Sequence, residues 1–337
     1  MAAFDDLIKS NKRNTVFLGV AVTLVLCALA SAIALVWVGF GAAPERHGGY
    51  AYDSGPPASP YGPPFMHTVL VASAAALAVA LLFILFTYFG GASAILAVSG
   101  AKEIQKADDP QLFNVIEELA IATGLPKPRI FLIDDTAMNA FATGRDPQHA
   151  VVAITTGLRA RLTRSELQGV MAHELAHVRN YDIRLAMFAA VMVGLVVLLA
   201  DLFMRSLWWG GRGGRRGRQG GGPIMLVILI AAILLAILAP LFAKLLQLAI
   251  SRQREYLADA TAVETTRYPE GLASALAKLE ADTVVLEAAN RATAHLYIVN
   301  PFKAGEQRFK FSRLFSTHPD IQDRIQRLLS LGRAGGA

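Results

Sequence analysis

Cysteine is almost missing from this chain. Cys27 stands alone among 337 residues, which excludes an intramolecular disulfide framework and any cysteine-based zinc site. Charge is also sparse. Charged residues make up 17% of the chain and hydrophobic ones 54%, with a mean hydropathy of +0.43. That balance is too apolar for an ordinary soluble enzyme and too charged for a chain made only of lipid-facing helix. Internal repeats are absent, and so are the base-stacking motifs of the common RNA-binding modules. The formal net charge is +6, but much of the excess sits in one glycine-rich loop, at Arg212, Arg215, Arg216 and Arg218. That loop lies between two apolar blocks and reads as a membrane flank, so no nucleic-acid partner is expected.

What is present is apolar sequence gathered into blocks rather than spread with a period of 2 or 3.6. The first, within residues 15–40, carries no charge and follows Lys9, Lys12 and Arg13. A helix of ~20 apolar residues spans a bilayer. Ala28-Leu29-Ala30 could mimic a signal-peptide cleavage site, but the apolar run continues past it, so a retained helix with its N-terminus inside is expected. Residues 41–66, rich in Gly, Pro and Tyr, read as an outside loop, and 68–99 as a second spanning helix. Two further blocks, 183–207 and 223–250, flank the insertion 210–222. Two crossings or a packed hairpin would both return the chain to one side; the length of each block favours two crossings. The expected organisation is a membrane region over 1–99, the first half of a catalytic domain over 100–182, a second helix pair over 183–250, and the second half of the domain over 251–337.

Within 100–182 the local signals are specific. Asp109-Pro110 has the form of an N-cap and first-turn pair, and Gly124 of a helix stop. Leu112, Phe113, Ile116, Leu119 and Ala120 make one apolar stripe between them. Strands are expected at 129–133 and 150–155, with a shorter one at 139–143. Thr163 and Glu166 have capping-box spacing at the start of the next helix.

That helix carries His173-Glu174-Leu175-Ala176-His177, an H-E-x-x-H motif. Positions i and i+4 lie one turn apart on one face, so both imidazoles can reach a single ion. Glu174 is rotated away by about a quarter turn and can lean over an open coordination position as general base. A catalytic zinc needs three protein ligands. The metzincin spacing fails here, because Asn180 and Ile183 stand where Gly and His would be required. Glu255 in Glu255-Tyr256-Leu257-Ala258-Asp259 is the better third ligand, with Asp259 one turn on to orient a ligand histidine from behind. Taken alone, the two carboxylates would read as a wet helix face beside Arg252 and Arg254. Beside an H-E-x-x-H motif, the ligand reading is preferred. His47, His67, His149 and His295 have no partner at ligand spacing and read as structural.

The order of these features, H-E-x-x-H, two apolar blocks, then Glu255-x-x-x-Asp259, resembles the HtpX membrane metallopeptidases, relatives of the CaaX prenyl endopeptidases. The resemblance extends from the N-terminal helix pair through most of the chain. Met138-Asn139-Ala140-Phe141-Ala142 is similar to that family's Asn-Ala-Phe-Ala element, and His318-Pro319 with Arg324 to its C-terminal His-Pro…Arg element. The long loop 41–66 and the insertion 210–222 depart from the pattern. The resemblance implies an α-helical integral membrane protein with a mainly helical α+β, zincin-like (gluzincin) catalytic domain and a small sheet. It implies one Zn2+ per chain, held by His173, His177 and Glu255. It further implies that Asn139, Ala140, Phe141 and Ala142 form an edge strand that pairs with substrate backbone. His318 would be a catalytic hydrogen-bond donor to the oxyanion, and Arg324 would share that role or hold a carboxylate.

The expected activity is zinc-dependent endopeptidase action on polypeptides, membrane proteins and misfolded segments included. The implied setting is the bacterial inner membrane, multi-pass in the lipid bilayer, with the active site facing the cytoplasm. A dedicated processing peptidase for one class of peptide is the nearest alternative. A zinc-stabilised scaffold without turnover is the alternative from another class, and Glu174 speaks against it, since a structural site needs a closed fourth ligand and no base.

Overall fold

The computed structural model describes residues 8–17, 19–21, 23–24, 63–195, 252–289, 292–299, 301 and 319–334. Three expected features lie wholly outside these residues: the apolar block 223–250, the insertion 210–222 and His318. Most of the block 15–40, most of the loop 41–66 and the end of the block 183–207 lie outside them as well.

Residues 8–17 are helical. The next described helix, α1 (Pro63–Val98), begins earlier than the apolar block at 68–99 suggested, so 63–66 belong to a helix and not to the loop 41–66. Pro63 and Pro64 open it, where a missing N–H costs nothing. Its stretch Ser73–Val98, 26 residues with a mean hydropathy of 2.1, is long and apolar enough to cross a membrane. At 1.5 Å per residue it reaches ~39 Å, more than the ~30 Å of hydrocarbon. Leu81, Leu82, Leu85, Phe86 and Phe89 are exposed along it.

After a short strand β1 (Lys102–Glu103) comes helix α2 (Pro110–Thr123), whose ends form as its sequence suggests. The Asp109 side chain accepts from the Leu112 N–H, and Gly124 closes the helix in the left-handed region at φ 68°. The apolar stripe from Leu112 to Ala120 is buried. Strands β2 (Arg129–Ile133), β3 (Ala140–Thr143) and β4 (Val151–Thr155) join β1 in one mixed sheet of order β1-β2-β4-β3. β2 and β4 pair in parallel, with Arg129 opposite Val151 and Ile133 opposite Thr155. Their continuous apolar runs suit a parallel pair covered on both faces. β3 pairs antiparallel with β4, Ala140 opposite Ile154, and forms one edge.

A short helix α3 (Thr156–Arg161) leads into α4 (Arg164–Arg179), which carries the H-E-x-x-H motif. The Thr163–Glu166 capping box forms in both directions. α4 packs on α2, on β3, and on the later helices α5 (Arg252–Thr266) and α6 (Pro269–Ala281). Gly169 permits the approach of α6, because a Cβ there would stand 2.7 Å from the Leu272 backbone nitrogen. Helix α7 (Ile321–Ala334) packs on α6 and α5. One core of Leu112, Ile116, Ile154, Leu167, Val170, Leu272, Leu276 and Leu328 fills the space between these elements.

Candidate metal centre

The two motif histidines meet one turn apart on α4. Their Nε2 atoms are 3.2 Å apart, with the rings perpendicular. Glu255, in the first turn of α5, brings Oε2 to 3.7 Å from His173 Nε2 and Oε1 to 3.6 Å from His177 Nε2. Among the described residues, these three donors form a cluster that could hold a metal ion, with all ligand atoms within 4.8 Å of one another. Ligands ~2.0–2.1 Å from a tetrahedral zinc stand about 3.4 Å from each other. The observed spacings bracket that value, so the donor set fits zinc in both chemistry and size.

Each imidazole is oriented from behind by a carboxylate. Asp259 Oδ1 lies 2.9 Å from Nδ1 of His173, and Asp182 Oδ2 lies 3.0 Å from Nδ1 of His177. Such a contact keeps the ring proton on Nδ1 and turns the Nε2 lone pair toward the ligand cluster. Asp259 is held in turn by Arg324, whose Nε and Nη2 donate to its two oxygens at 2.8 and 2.7 Å. Arg324 is fully buried, and its Nη1 lies 3.6 Å from Glu255 Oε2. Of the two roles the resemblance implied for Arg324, these contacts support holding a carboxylate. Nε and Nη2 are committed to Asp259, while Nη1 makes no hydrogen bond among the described residues.

The electrostatics of the cluster favour positive charge. Burial opposes charge on His177, but the hydrogen bond it donates to Asp182 and the charges of Glu255, Asp182 and Glu174 override it and push the imidazole up to about 9. Burial would raise Asp259, yet Arg324 and His173 hold it below the usual carboxylate range. Glu174, also buried, goes the other way. Desolvation pushes its carboxyl up, and the His173 and His177 imidazoles offset this only in part. The backbone N–H of Ala142 on the edge strand β3 faces the Glu174 carboxylate.

The 139–142 element lies against this edge, but part of it is already occupied. Asn139 is buried, and its amide donates to the Val299 carbonyl at 3.0 Å. The Ala140 carbonyl accepts from the Ile298 N–H at 3.0 Å, and Phe141 packs edge-on against Tyr297. Pairing of substrate along all of 139–142 therefore requires residues 297–299 to leave. Ala142 faces Glu174 instead, and is the part of the element that adjoins the cluster.

Asp182 is the site residue that the sequence reading missed. Its one signal was an acidic group at the mouth of an apolar block, directly after a helix end at Asn180. Arg254, read as part of a wet helix face, is in fact buried, 3.7 Å from Asp182 Oδ1. Of the other histidines, His149 bonds Asp146 beside its short turn, and His295 lies against the Ala186 carbonyl.

Comparison with known proteins identifies the family. Residues 106–331 match Peptidase family M48. A protease HtpX homolog of Dictyoglomus thermophilum is 49% identical over 247 residues, covering 73% of this chain and 78% of that protein. The protease HtpX homolog of Tropheryma whipplei is 48% identical over 73% of this chain and 80% of its own. That of Lactiplantibacillus plantarum is 45% identical over 79% and 89%. Among solved structures, Ste24p of S. mikatae matches with a TM-score of 0.45 and 21% identity over 78% of this chain and 58% of that one, too distant for a residue-by-residue comparison. With nearly half its residues identical to those of such relatives across most of both chains, the protein belongs to peptidase family M48 and, within it, to the HtpX metalloproteases.

Proposed function

We propose that this chain is a membrane-bound zinc endopeptidase in which His173, His177 and Glu255 hold the metal and Glu174 is the general base. The observation that carries the reading is the convergence of three donor atoms of the right kind and spacing, with the buried Glu174 beside them. Zinc bound there would supply a Lewis acid that polarises the scissile carbonyl and acidifies water. Glu174 takes the proton of the attacking water and returns it to the leaving amine. Asp259, itself held by Arg324, keeps His173 in register.

The apolar surface of α1 supports membrane attachment, and with it a diet of polypeptides that are membrane-embedded or exposed at the membrane surface. Quality control of misfolded membrane proteins, on the cytoplasmic side of a bacterial inner membrane, is the biological role this suits. A second approach to the peptide is the 139–142 edge, engaged once residues 297–299 have moved aside.

The test is Glu174→Gln in the purified full-length protein. Turnover of a model membrane protein should be abolished while zinc content stays at wild-type level, and a chelator should abolish wild-type turnover. Loss of zinc with the fold intact, or near-normal turnover, would remove Glu174 from the role of base. Zinc retained without any turnover in the wild type would favour a scaffold.

A further inference from the structure

The two ligand histidines are oriented by different parts of the chain. Asp259, behind His173, belongs to α5 and is held by Arg324 of α7. Asp182, behind His177, sits just past the end of α4 and has its second oxygen turned toward the helical segment 8–17. There Asn11 Nδ2 donates to Asp182 Oδ1 at 2.7 Å. The same amide group donates to the Asn180 carbonyl at 2.9 Å. Asn11 is 1% exposed although it lies on a helical segment otherwise open on several sides.

The neighbouring contacts converge on the same turn. Asn180 caps α4. Tyr181 then takes a left-handed backbone, φ 60°, a conformation a bulky side chain adopts only where the surroundings hold it. The Lys12 ammonium stands 4.4 Å from the Tyr181 ring centroid, and the Arg184 guanidinium 5.1 Å from it. Residues 180, 181 and 182 are thus each gripped by Asn11 or Lys12. Arg254 adds a weaker hold on Asp182 at 3.7 Å.

We propose that Asp182 is the positioning residue for His177, and that Asn11 holds Asp182 in place, so that docking of the N-terminal helical segment on the 180–182 turn sets the metal affinity of the site. The proposal rests on the reading of His173, His177 and Glu255 as zinc ligands. A carboxylate fixed at one oxygen only can rotate away from the ring it supports. The Asn11 amide removes that freedom by binding the other oxygen and the adjacent cap carbonyl together.

The experiment measures zinc affinity of the full-length protein in detergent by competition with a chromophoric chelator, and the visible spectrum of its cobalt(II) form. Asp182→Ala should weaken zinc binding by ~10–100-fold, and Asp182→Asn, which keeps an acceptor, by less. Asn11→Ala should weaken it by roughly 3–10-fold, a part of the same effect, and both alanine variants should shift the cobalt spectrum. In an Asp182→Ala background, Asn11→Ala should cost nothing further. If Asp182→Ala does not fold, the same comparison is made with Asp182→Asn. Zinc lost in His177→Ala, with affinity and spectrum unchanged in the Asp182 and Asn11 variants, overturns the proposal alone. An Asn11→Ala loss of equal size in both backgrounds also overturns it. Full zinc occupancy in His177→Ala overturns the ligand reading and the proposal with it.

Discussion

The carboxylate of Asp259 lies 2.9 Å from Nδ1 of His173, on the far side of the ring from the nitrogen that faces Glu255. The two acidic residues of α5 therefore grip one imidazole from opposite ends, one as its support and the other as its companion in the ligand cluster. Their different places predict different losses. Glu255→Ala should abolish stoichiometric zinc, since it removes a proposed ligand atom. Asp259→Asn should keep zinc with an affinity lowered by ~10–100-fold. Metal analysis after dialysis against a weak chelator separates the two. Unchanged zinc in Glu255→Ala would move the third ligand elsewhere.

Arg324 supplies a second prediction. It is fully buried and bonds both oxygens of Asp259, so its removal leaves a buried carboxylate with His173 as its remaining partner. Arg324→Met should destabilise the fold by ~3–5 kcal/mol, read as a fall in thermal unfolding temperature in detergent. Adding Asp259→Asn should restore part of the loss, because the stranded charge is then gone. A double variant no more stable than Arg324→Met would count against the paired-charge account.

The capping box makes stability depend on pH. Burial alone would raise Glu166, but Lys278, Ser274 and Thr163 draw it down to about 2. Its folded value lies below its unfolded one, so it contributes stability above the ordinary carboxylate range. That contribution fades as pH falls from ~4.3 toward about 2. Glu166→Gln should be less stable than wild type at pH 6, and the difference should narrow between pH 4 and pH 2.5. Thermal unfolding across that range checks this, and a difference that widens on acidification would contradict it.

Sidedness can be tested in intact cells. Single cysteines replacing Gly48, Gly213 and Glu270 in a Cys27→Ala background would be exposed to an impermeant maleimide. With the N-terminus inside and two crossings between the halves of the catalytic domain, Gly48→Cys and Gly213→Cys should label. Glu270→Cys, on the exposed side of α6, should label only after permeabilisation. Protection at Gly213→Cys together with labelling at Gly48→Cys would leave the third and fourth apolar blocks as a hairpin that does not cross.

Sequence determined what depends on neighbours within one helical turn or one strand. The i, i+4 spacing brings His173 and His177 onto one face because a helix returns to it after 3.6 residues. Thr163 and Glu166 cap α4, Asp109 and Gly124 bound α2, and the apolar run 129–133 becomes β2, each by contacts inside its own segment. Tertiary structure alone decided the rest. Asp182 reaches His177 only because the chain turns through a left-handed Tyr181, and Asn11 reaches Asp182 across 171 positions of chain. Arg324 is buried against Asp259 across 65 positions, and Asn139 spends its side chain on Val299. An arginine or asparagine on a helix or strand reads as a solvated group, since periodicity reports which face is apolar and not what lies opposite it. Which polar groups are enclosed, and by which partner, follows from packing between segments far apart in the chain, where each buried charge must find its counterpart.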